Sequence, residues 1–568
     1  MIPPSTEKPW LKQYDPGVPQ HLDIPDHTIQ DFLTQAAQNH PDKPAMIFKG
    51  TRINYRQFDQ LTDAAAAALV ANGFKKGDRA VVYMPNSPQF LIAYFGTLKA
   101  GGIVIATNPL YTERELTHQL ADCGAETVFV LSRFYPLLKQ VQKAGHTQVK
   151  RIIVSNIKEY LPVHLRLLYT LAKEKKEGDR VALEPGDMTL PDFLAAGRRA
   201  PKPTVKVNAN DIALLQYTGG TTGLSKGAVG THGNVVANVY MAKAWINNLV
   251  KPGQEVTLLA LPLFHVYGMI GGMHLTIALA GAMVLIPNPR EQEDVLGSVQ
   301  KYRATLFPGV PAMYVAINNN PDVAAGKYDI SSIRVCLSGA APLLMDTKEK
   351  FEQLTGATLV EAFGLSEALV ATHVNPLQGD VRAGSIGVPL PNVDARIVDP
   401  EDGEKVLGPN EVGELVIKSP SVMQGYWQMP TETENTLRDG WLFTGDIARM
   451  DDDGYFYIED RKKDMIIAGG YNIYPREVEE VLMNHPAVKE VAVAGIKDPR
   501  RGETVKAWIV KNEGDATTEQ EIVEWSKGQL AAYKYPRMVE FRDELPKSAA
   551  LKVLKRELVR QHQEKVTA

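Results

Sequence analysis

Through the first 330 residues, short runs that are apolar at every position alternate with amphipathic stretches. Residues 80–84 (AVVYM), 102–106 (GIVIA) and 126–131 (ETVFVL) read as strands buried on both faces. Between them, 87–98 and 112–121 carry apolar residues at helical spacing. Strand–helix–strand order at this spacing predicts α/β architecture, with mainly parallel sheets covered by helices. The texture changes near 460–464 (DRKKD). Beyond it the expected units are short: helix 475–483, strands 490–494 and 505–510, helix 518–530 and strand 538–541. That is a small α+β domain of about 105 residues appended to a large body. The expected division is 1–462 and 463–568.

Two stretches test this picture. Residues 256–289 contain no Asp, Glu, Lys or Arg, longer than the ~20 residues a spanning helix needs. Pro262, the glycines Gly268, Gly271 and Gly272, and Pro287 and Pro289 argue against a span. They leave strand 256–260, helix 266–279 and strand 282–286, all buried in a sheet. Residues 161–177 (LPVHLRLLYTLAKEKKE) set Leu161, Leu165, Leu168 and Ala172 on one helical stripe and end with Lys173, Lys175 and Lys176. Two readings stay open: a helix resting on an anionic membrane surface, and an ordinary surface helix. Residues 198–207 (RRAPKPTVKV) read as a linker arm.

Charge and cysteine use narrow the function. Lys and Arg number 62 against 66 Asp and Glu, a net charge of −4. No nucleic-acid partner is expected from such a balance. The two cysteines, Cys123 and Cys336, lie far apart without CxxC spacing. A disulfide framework and a Cys-rich zinc site are excluded, and a reducing, cytoplasmic setting is expected. The first ten residues lack the apolar segment of a secretory signal.

The sharpest chemical signal is 214–227, LLQYTGGTTGLSKG. An apolar strand feeds a loop of small residues, with a helix expected from Asn234. Gly219, Gly220 and Gly223 let the backbone approach a ligand closely, so that successive N–H groups converge on phosphate oxygens. Thr218, Thr221 and Thr222 add hydroxyls and Lys226 adds a positive charge. The loop is not of the GxxxxGK[ST] kind, because Ser225 precedes the lysine and Gly227 follows it.

Here the chain resembles the adenylate-forming acyl-CoA synthetase and ligase superfamily, and its YTGGTTG loop is similar to that of bacterial long-chain fatty acid–CoA ligases. The likeness recurs, in the family's order and spacing, at 261–268 (LPLFHVYG), 337–342 (LSGAAP), 361–367 (EAFGLSE), 440–446 (GWLFTGD) and 460–480 (DRKKDMIIAGGYNIYPREVEE). It implies the acyl-CoA synthetase/luciferase-like fold with a mobile C-terminal cap. It also implies a two-step reaction: a fatty acid carboxylate attacks the α-phosphate of ATP, and coenzyme A then displaces AMP. Attack of one anion on another requires cations and N–H donors around the α-phosphate.

The resemblance assigns roles to positions. Glu367 is the magnesium-associated carboxylate, suited to a cation that keeps most of its ligands as water and phosphate oxygen, and Ser366 stands where threonine is usual. Asp446 accepts the ribose hydroxyls and Arg461 makes a second nucleotide contact. Gly339, Ala340, Glu361, Ala362, Phe363 and Gly364 line adenine and acyl walls; Phe363, in place of a frequent tyrosine, can still stack. His265 lies near the acyl carboxylate, or else is a core histidine. Lys463 is the hinge, and Gly469, Gly470 and Tyr471 line the pantetheine tunnel. Lys552 is the catalytic lysine, but in 545–553 (LPKSAALKV) Leu551 stands where glycine is usual. If that glycine supplies a positive φ, leucine costs on the order of 1–3 kcal/mol. The expected cofactors and partners are ATP, Mg²⁺, coenzyme A and a fatty acid. The alternatives are an adenylating enzyme with another acid or thiol acceptor, and a non-catalytic acyl or nucleotide sensor. Chain length and oligomeric state are not encoded in any motif.

Overall fold

The computed structural model describes residues 8–218, 225–462, 464–468, 471–498, 502–548 and 553–567. The chain divides into two compact units, a larger one from Gln13–Asp394 and Lys418–Leu442 and a smaller one from Met1–Lys12, Ala395–Ile417 and Phe443–Ala568.

In the larger unit the main sheet has seven strands, ordered Met188–Thr189, Arg151–Ser155, Thr127–Leu131, Arg79–Tyr83, Ile103–Thr107, Ile212–Thr218 and Lys226–Thr231. All neighbours run parallel except the last pair. Every residue of Ile103–Thr107 and Thr127–Leu131 is buried, which is why these strands read as unbroken apolar runs. Ser87 caps helix Pro88–Lys99, with proline in its first turn. Thr112 and Glu115 form the capping box of helix Glu113–Cys123.

The charge-free stretch folds as expected into strand Val256–Leu259, a helical segment and strand Ala282–Leu285. Its helix is π-helical over Tyr267–His274 and becomes α-helical at Leu275–Ala278. Both strands belong to a four-stranded sheet with Pro44–Phe48 and Thr51–Asn54. A third sheet orders Val335–Ser338, Thr358–Leu365, Val370–Val374 and Val388–Pro389. Among the described residues no helix is long and apolar enough to cross a membrane.

One difference from the sequence reading matters for the site. Lys226–Thr231 is a strand that pairs back on Ile212–Thr218, and helix His232–Ile246 follows it directly. The segment KGAVGT has neither alternation nor a bulky apolar run, so it is a strand through its pairing and not through its composition.

Close helix packing in the larger unit has a readable cause. Helix Tyr55–Ala71 carries the run Ala64–Ala68, and helices Pro88–Lys99 and Leu190–Arg199 pack against it. A Cβ on Gly96 would lie 2.5 Å from the Ala65 Cβ, and one on Gly197 1.9 Å from the Ala64 carbonyl oxygen. Small residues therefore set the spacing of this layer.

The smaller unit has two sheets. One orders Asp394–Val398, Gly413–Lys418 and Trp441–Met450, with Phe456–Arg461 on the last. The other orders Tyr471–Ile473, Ile466–Ala468, Gly502–Lys511 and Val488–Asp498, with Met538–Phe541 also paired to Gly502–Lys511. Helices Pro475–Met483, Glu519–Gln529 and Lys555–Thr567 complete it. Trp10 is buried in this unit, its ring 6.1 Å from that of Phe456.

Two predictions concern stability. Gly197→Ala gains about 0.5–1 kcal/mol of helix preference but overpacks at a cost of about 1–3 kcal/mol; the expected net result is a lower urea midpoint for the first unfolding transition. Burial holds His232 neutral, with its pKa pushed down to about 4, and does the same for His274 and His373, both pushed down to about 3. His232 accepts the Ile29 N–H at 3.2 Å, which requires the neutral ring. The unfolded chain binds these protons below its histidine pKa of about 6.5, so stability is complete above that pH and falls as pH drops toward 4 and 3. Urea midpoints measured from pH 7.5 to 4.5 should fall steadily, and a flat profile would contradict the assignment.

Candidate active site

The antiparallel pairing of Ile212–Thr218 with Lys226–Thr231 runs to Thr218 opposite Lys226. Gly219, Gly220, Thr221, Thr222 and Gly223 lie outside the described residues. The stem of the hairpin is well supported. The Tyr217 hydroxyl donates to Asp122 at 2.5 Å, and burial together with nearby negative groups raises its pKa far above the usual phenol value. His118 Nε2–H donates to the Ser225 carbonyl at 2.9 Å, which fixes the tautomer of that ring. Gln216 donates to the Phe264 carbonyl at 3.1 Å and so ties the strand to the loop carrying His265.

A segment far along the chain lies against this stem. The Val229 N–H bonds to Gly425 O at 2.9 Å, Gln424 N–H to Val229 O at 2.9 Å and Trp427 N–H to Gly227 O at 2.7 Å. These contacts place Tyr426 beside Lys226, whose Nζ stands 5.3 Å from the ring centroid, a cation–π arrangement. Lys226 is ion-paired with Glu432. On its other side, the Tyr426 hydroxyl donates to Glu367 Oε1 at 2.8 Å. Burial, and then the Glu367 charge, hold the Tyr426 phenol far above its usual pKa. One cation, one phenol and two carboxylates thus form a continuous chain: Glu432, Lys226, Tyr426, Glu367.

Glu367 sits in the turn Ser366–Ala368 that ends strand Thr358–Leu365. The turn is tight and strained: Leu369 and Val370 have φ of 48° and 105°, the latter costly for a β-branched side chain. Gly364 is required there, since a Cβ would lie 1.7 Å from Val370 O. Buried Asn238 braces the turn by donating to Ala371 O at 2.9 Å. Phe363 and Ala362 are half-buried, and the Phe363 ring meets His373 edge-on at 6.0 Å.

The Gly339–Ala340 loop is braced from the same strand. Glu361 Oε2 accepts the Leu343 N–H at 3.1 Å, and Ala340 takes a φ of 72°. Tyr267, in the π-helical turn, donates to Leu337 O at 2.6 Å and lies against Gly339. His265 is half-buried, its Nδ1 accepting the Tyr267 N–H at 3.3 Å. Asn86 pins the approach to this loop by donating to Leu259 O and Leu261 O and accepting from Leu263 N–H.

In the smaller unit a second cluster forms. Asp446 and Arg461 are register partners on adjacent antiparallel strands, and Arg461 Nε meets Asp446 Oδ1 at 2.9 Å. The Thr444 hydroxyl donates to Leu415 O at 2.7 Å and accepts the Asp446 N–H at 3.1 Å. Glu414 takes the Gly445 N–H and Lys462 Nζ on its two oxygens. The buried Asp446 carboxylate is therefore rigidly aimed.

The closing motif is anchored at both ends. Lys547 and Val553 form a β-bridge, Leu554 N–H bonds to Pro546 O at 2.8 Å, and Lys547 pairs with Glu490 at 2.7 Å. Leu551 and Lys552 lie outside the described residues, as do Lys463, Gly469, Gly470 and the side chain of Tyr471.

Sequence reasoning missed Tyr426, Glu432, Asn86 and Asn238. Tyr426 stands in the mixed run 422–429 (VMQGYWQM) and Glu432 in the polar run 431–436 (TETENT), and neither run carries a chemical signature of its own. Asn86 reads as a turn residue in 85–88 (PNSP), and Asn238 as an ordinary polar residue in the apolar run 235–241 (VVANVYM).

A model of the AMP-binding enzyme family matches residues 33–427, and one of the AMP-binding enzyme C-terminal domain matches residues 477–552. The chain is 44% identical over 562 residues to the long-chain-fatty-acid–CoA ligase of Bacillus subtilis (strain 168), covering 98% of this chain and 99% of that one. Among solved structures, ATP-bound MatB from Rhodopseudomonas palustris is similar at a TM-score of 0.80 and 29% identity, over 94% of this chain and 99% of that one. The anthranilate CoA ligase AuaEII in complex with anthranoyl-AMP is similar at 0.81 and 26%, over 96% and 99%. With its glycine–threonine hairpin, its braced Glu367 and its aimed Asp446, the chain belongs to the AMP-binding enzyme family, within the adenylate-forming acyl-CoA synthetases.

Proposed function

We propose that this protein is an AMP-forming fatty acid–CoA ligase acting on long chains. It would convert a fatty acid and ATP to acyl-adenylate and pyrophosphate, then pass the acyl group to coenzyme A. The observation that carries the reading is the meeting of Lys226 and Glu367 at Tyr426, with Thr218 opposite Lys226 at the loop end of the hairpin. Its full-length likeness to a long-chain-fatty-acid–CoA ligase supports the same choice of acid and acceptor.

The roles follow from the chemistry of each group. Thr218, Lys226 and the N–H groups of residues 219–223 would bind the phosphates. Gly339, Ala340, Glu361, Ala362, Phe363, Gly364 and Ser366 would hold adenine and the acyl carboxylate, with His265 near the latter. Asp446 would accept ribose hydroxyls, and Arg461 would bind ribose or phosphate. Among the described residues no group of three His, Cys, Asp or Glu side chains could cage a metal. A cation here must arrive largely on phosphate oxygens, and Glu367, held by one phenolic hydrogen bond, fits Mg²⁺ in that form. Bound Mg²⁺ would supply charge neutralisation at the reacting phosphate. Lys552 would add the final positive charge. We take Lys463 as the pivot between 1–462 and 463–568, and Gly469, Gly470 and Tyr471 as the tunnel for the thiol. A peripheral contact with the cytoplasmic face of a membrane suits an amphiphilic substrate.

Purified protein given palmitate, Mg·ATP and coenzyme A should yield palmitoyl-CoA, AMP and pyrophosphate; ADP with orthophosphate would refute the reading. Acyl-dependent exchange of labelled pyrophosphate into ATP separates the enzyme from a sensor, which would bind both ligands without exchange.

The Glu432–Lys226–Tyr426–Glu367 chain makes a second prediction. A hydrogen bond to a charged group contributes about 1.5–3 kcal/mol, so Tyr426→Phe should lower kcat/KM for Mg·ATP by roughly tenfold or more. Glu432 is half-exposed, and such ion pairs contribute about 0–1 kcal/mol. Glu432→Gln releases Lys226 for phosphate and should lower the KM for ATP by up to about fivefold. A raised KM in Glu432→Gln would mean that Glu432 assists binding instead of competing with it.

A further inference from the structure

Among the described residues, four of the five most exposed large apolar side chains lie on one ten-residue helix, Val163–Ala172. They are Leu171, 86% exposed, Val163, 71%, and Leu167 and Leu168, both 61%. Val163, Leu167 and Leu171 follow one another at i, i+4 and i+8, a single outward stripe with Leu168 beside it. The opposite face is settled by packing: Leu165 and Tyr169 lie against the core, with Leu161 buried beneath. The stripe expected from sequence, Leu161, Leu165, Leu168 and Ala172, is therefore split: its first two members face the core and its last two are exposed.

The helix is fixed at both ends. Tyr169 and Arg133 both donate to the buried carboxylate of Asp179, which also accepts from Ser132 at 2.6 Å. Buried Glu174 accepts from Lys158 at 2.6 Å and from Asn156 at 3.1 Å. Arg166 bonds to Glu159 O at 2.8 Å, and Arg180 to Thr170 O at 3.1 Å. A network of this depth holds an aliphatic face rigidly toward water, where burial forces would otherwise turn it inward.

The rim is cationic. Arg166, Lys173, Lys175, Lys176 and Arg180 are exposed, against one exposed carboxylate, Glu177, which stands 3.6 Å from Arg133. Lys173, Lys175 and Lys176 have no ion pair among the described residues. We propose that helix Val163–Ala172 is a docking element that buries its leucine stripe in the interface of an anionic lipid bilayer, with these cations over the headgroups. The occupant is lipid because the stripe is purely aliphatic, without the aromatic anchors that dominate protein interfaces. Scattered lysines also suit a diffuse negative surface better than discrete acceptors. The proposal deepens the fatty-acid reading and rests on it for its purpose: such substrates partition into bilayers, and docking brings the enzyme to them.

The test is flotation of the full-length protein with vesicles of phosphatidylcholine, with and without one quarter phosphatidylglycerol. Wild type should float with the anionic vesicles, and 0.5 M NaCl should weaken this several-fold. Leu167→Ser/Leu171→Ser and Lys173→Glu/Lys175→Glu/Lys176→Glu should each reduce binding at least tenfold. Both variants change exposed side chains, so their urea midpoints should match wild type. Failure of wild type to float, or flotation of the leucine variant like wild type, overturns the proposal. So does a dimer in sedimentation that the leucine variant abolishes without vesicle binding, which would assign the face to a second copy. Acyl-CoA formation from albumin-bound palmitate without vesicles, measured on the same preparations, should be unchanged in the variants. Flotation without any thioester product would overturn the ligase reading and leave docking standing.

Discussion

The antiparallel pairing of Ile212–Thr218 with Lys226–Thr231 is the contact on which the larger unit's chemistry depends. It turns the edge of a parallel sheet into a hairpin whose loop end presents Thr218 and Lys226 together. A parallel neighbour would have needed a long crossover and could not have brought both residues to one place. The edge so formed is then covered at Gly227 and Val229 by the 424–427 segment through main-chain hydrogen bonds, which blunts it against pairing with another chain. Tyr426 arrives as a by-product of that covering, and with it comes the link to Glu367.

The electrostatic design follows from this geometry. On the proposed reading, a triphosphate would bring several negative charges to a place where the protein already holds two carboxylates, Glu432 and Glu367. Glu432 balances Lys226 before any nucleotide is present, while Glu367 is held by a neutral phenol. The first carboxylate would then be given up in exchange for phosphate. On the proposed reading the second would stay in place and receive Mg²⁺ carried on phosphate oxygens, without an all-protein cage. The strained turn at Leu369 and Val370, with Gly364 packed under it, keeps Glu367 from following its own solvation outward.

Much of this was legible in the chain, for identifiable reasons. Ile103–Thr107 and Thr127–Leu131 announced themselves because both faces are buried, and helices such as Pro88–Lys99 and Glu113–Cys123 because capping residues stand at their starts. The glycine–threonine loop and the positions of Glu367, Asp446 and Arg461 were visible through motif and resemblance. Strand Lys226–Thr231 was not, since its small residues carry no period of their own. Tyr426 and Glu432 were hidden because their meaning lies in partners about 60 and 200 residues away, Glu367 and Lys226. On helix Val163–Ala172 the helical period was right and the facing was wrong, because a short helix that is apolar on two sides does not declare which side the core takes.

The placement of Trp10 affects how the molecule is made. It leaves the ribosome long before the ring it packs on, Phe456, which is added only after the larger unit's stretches of chain have been made. At about 5–20 residues per second the wait is roughly 20 to 90 seconds. During that interval an indole with no home rides ahead of a nearly complete larger unit. The smaller unit, stitched from three separated stretches of chain, is thus the last to close, and its earliest-made piece must be kept from sticking elsewhere until the rest arrives.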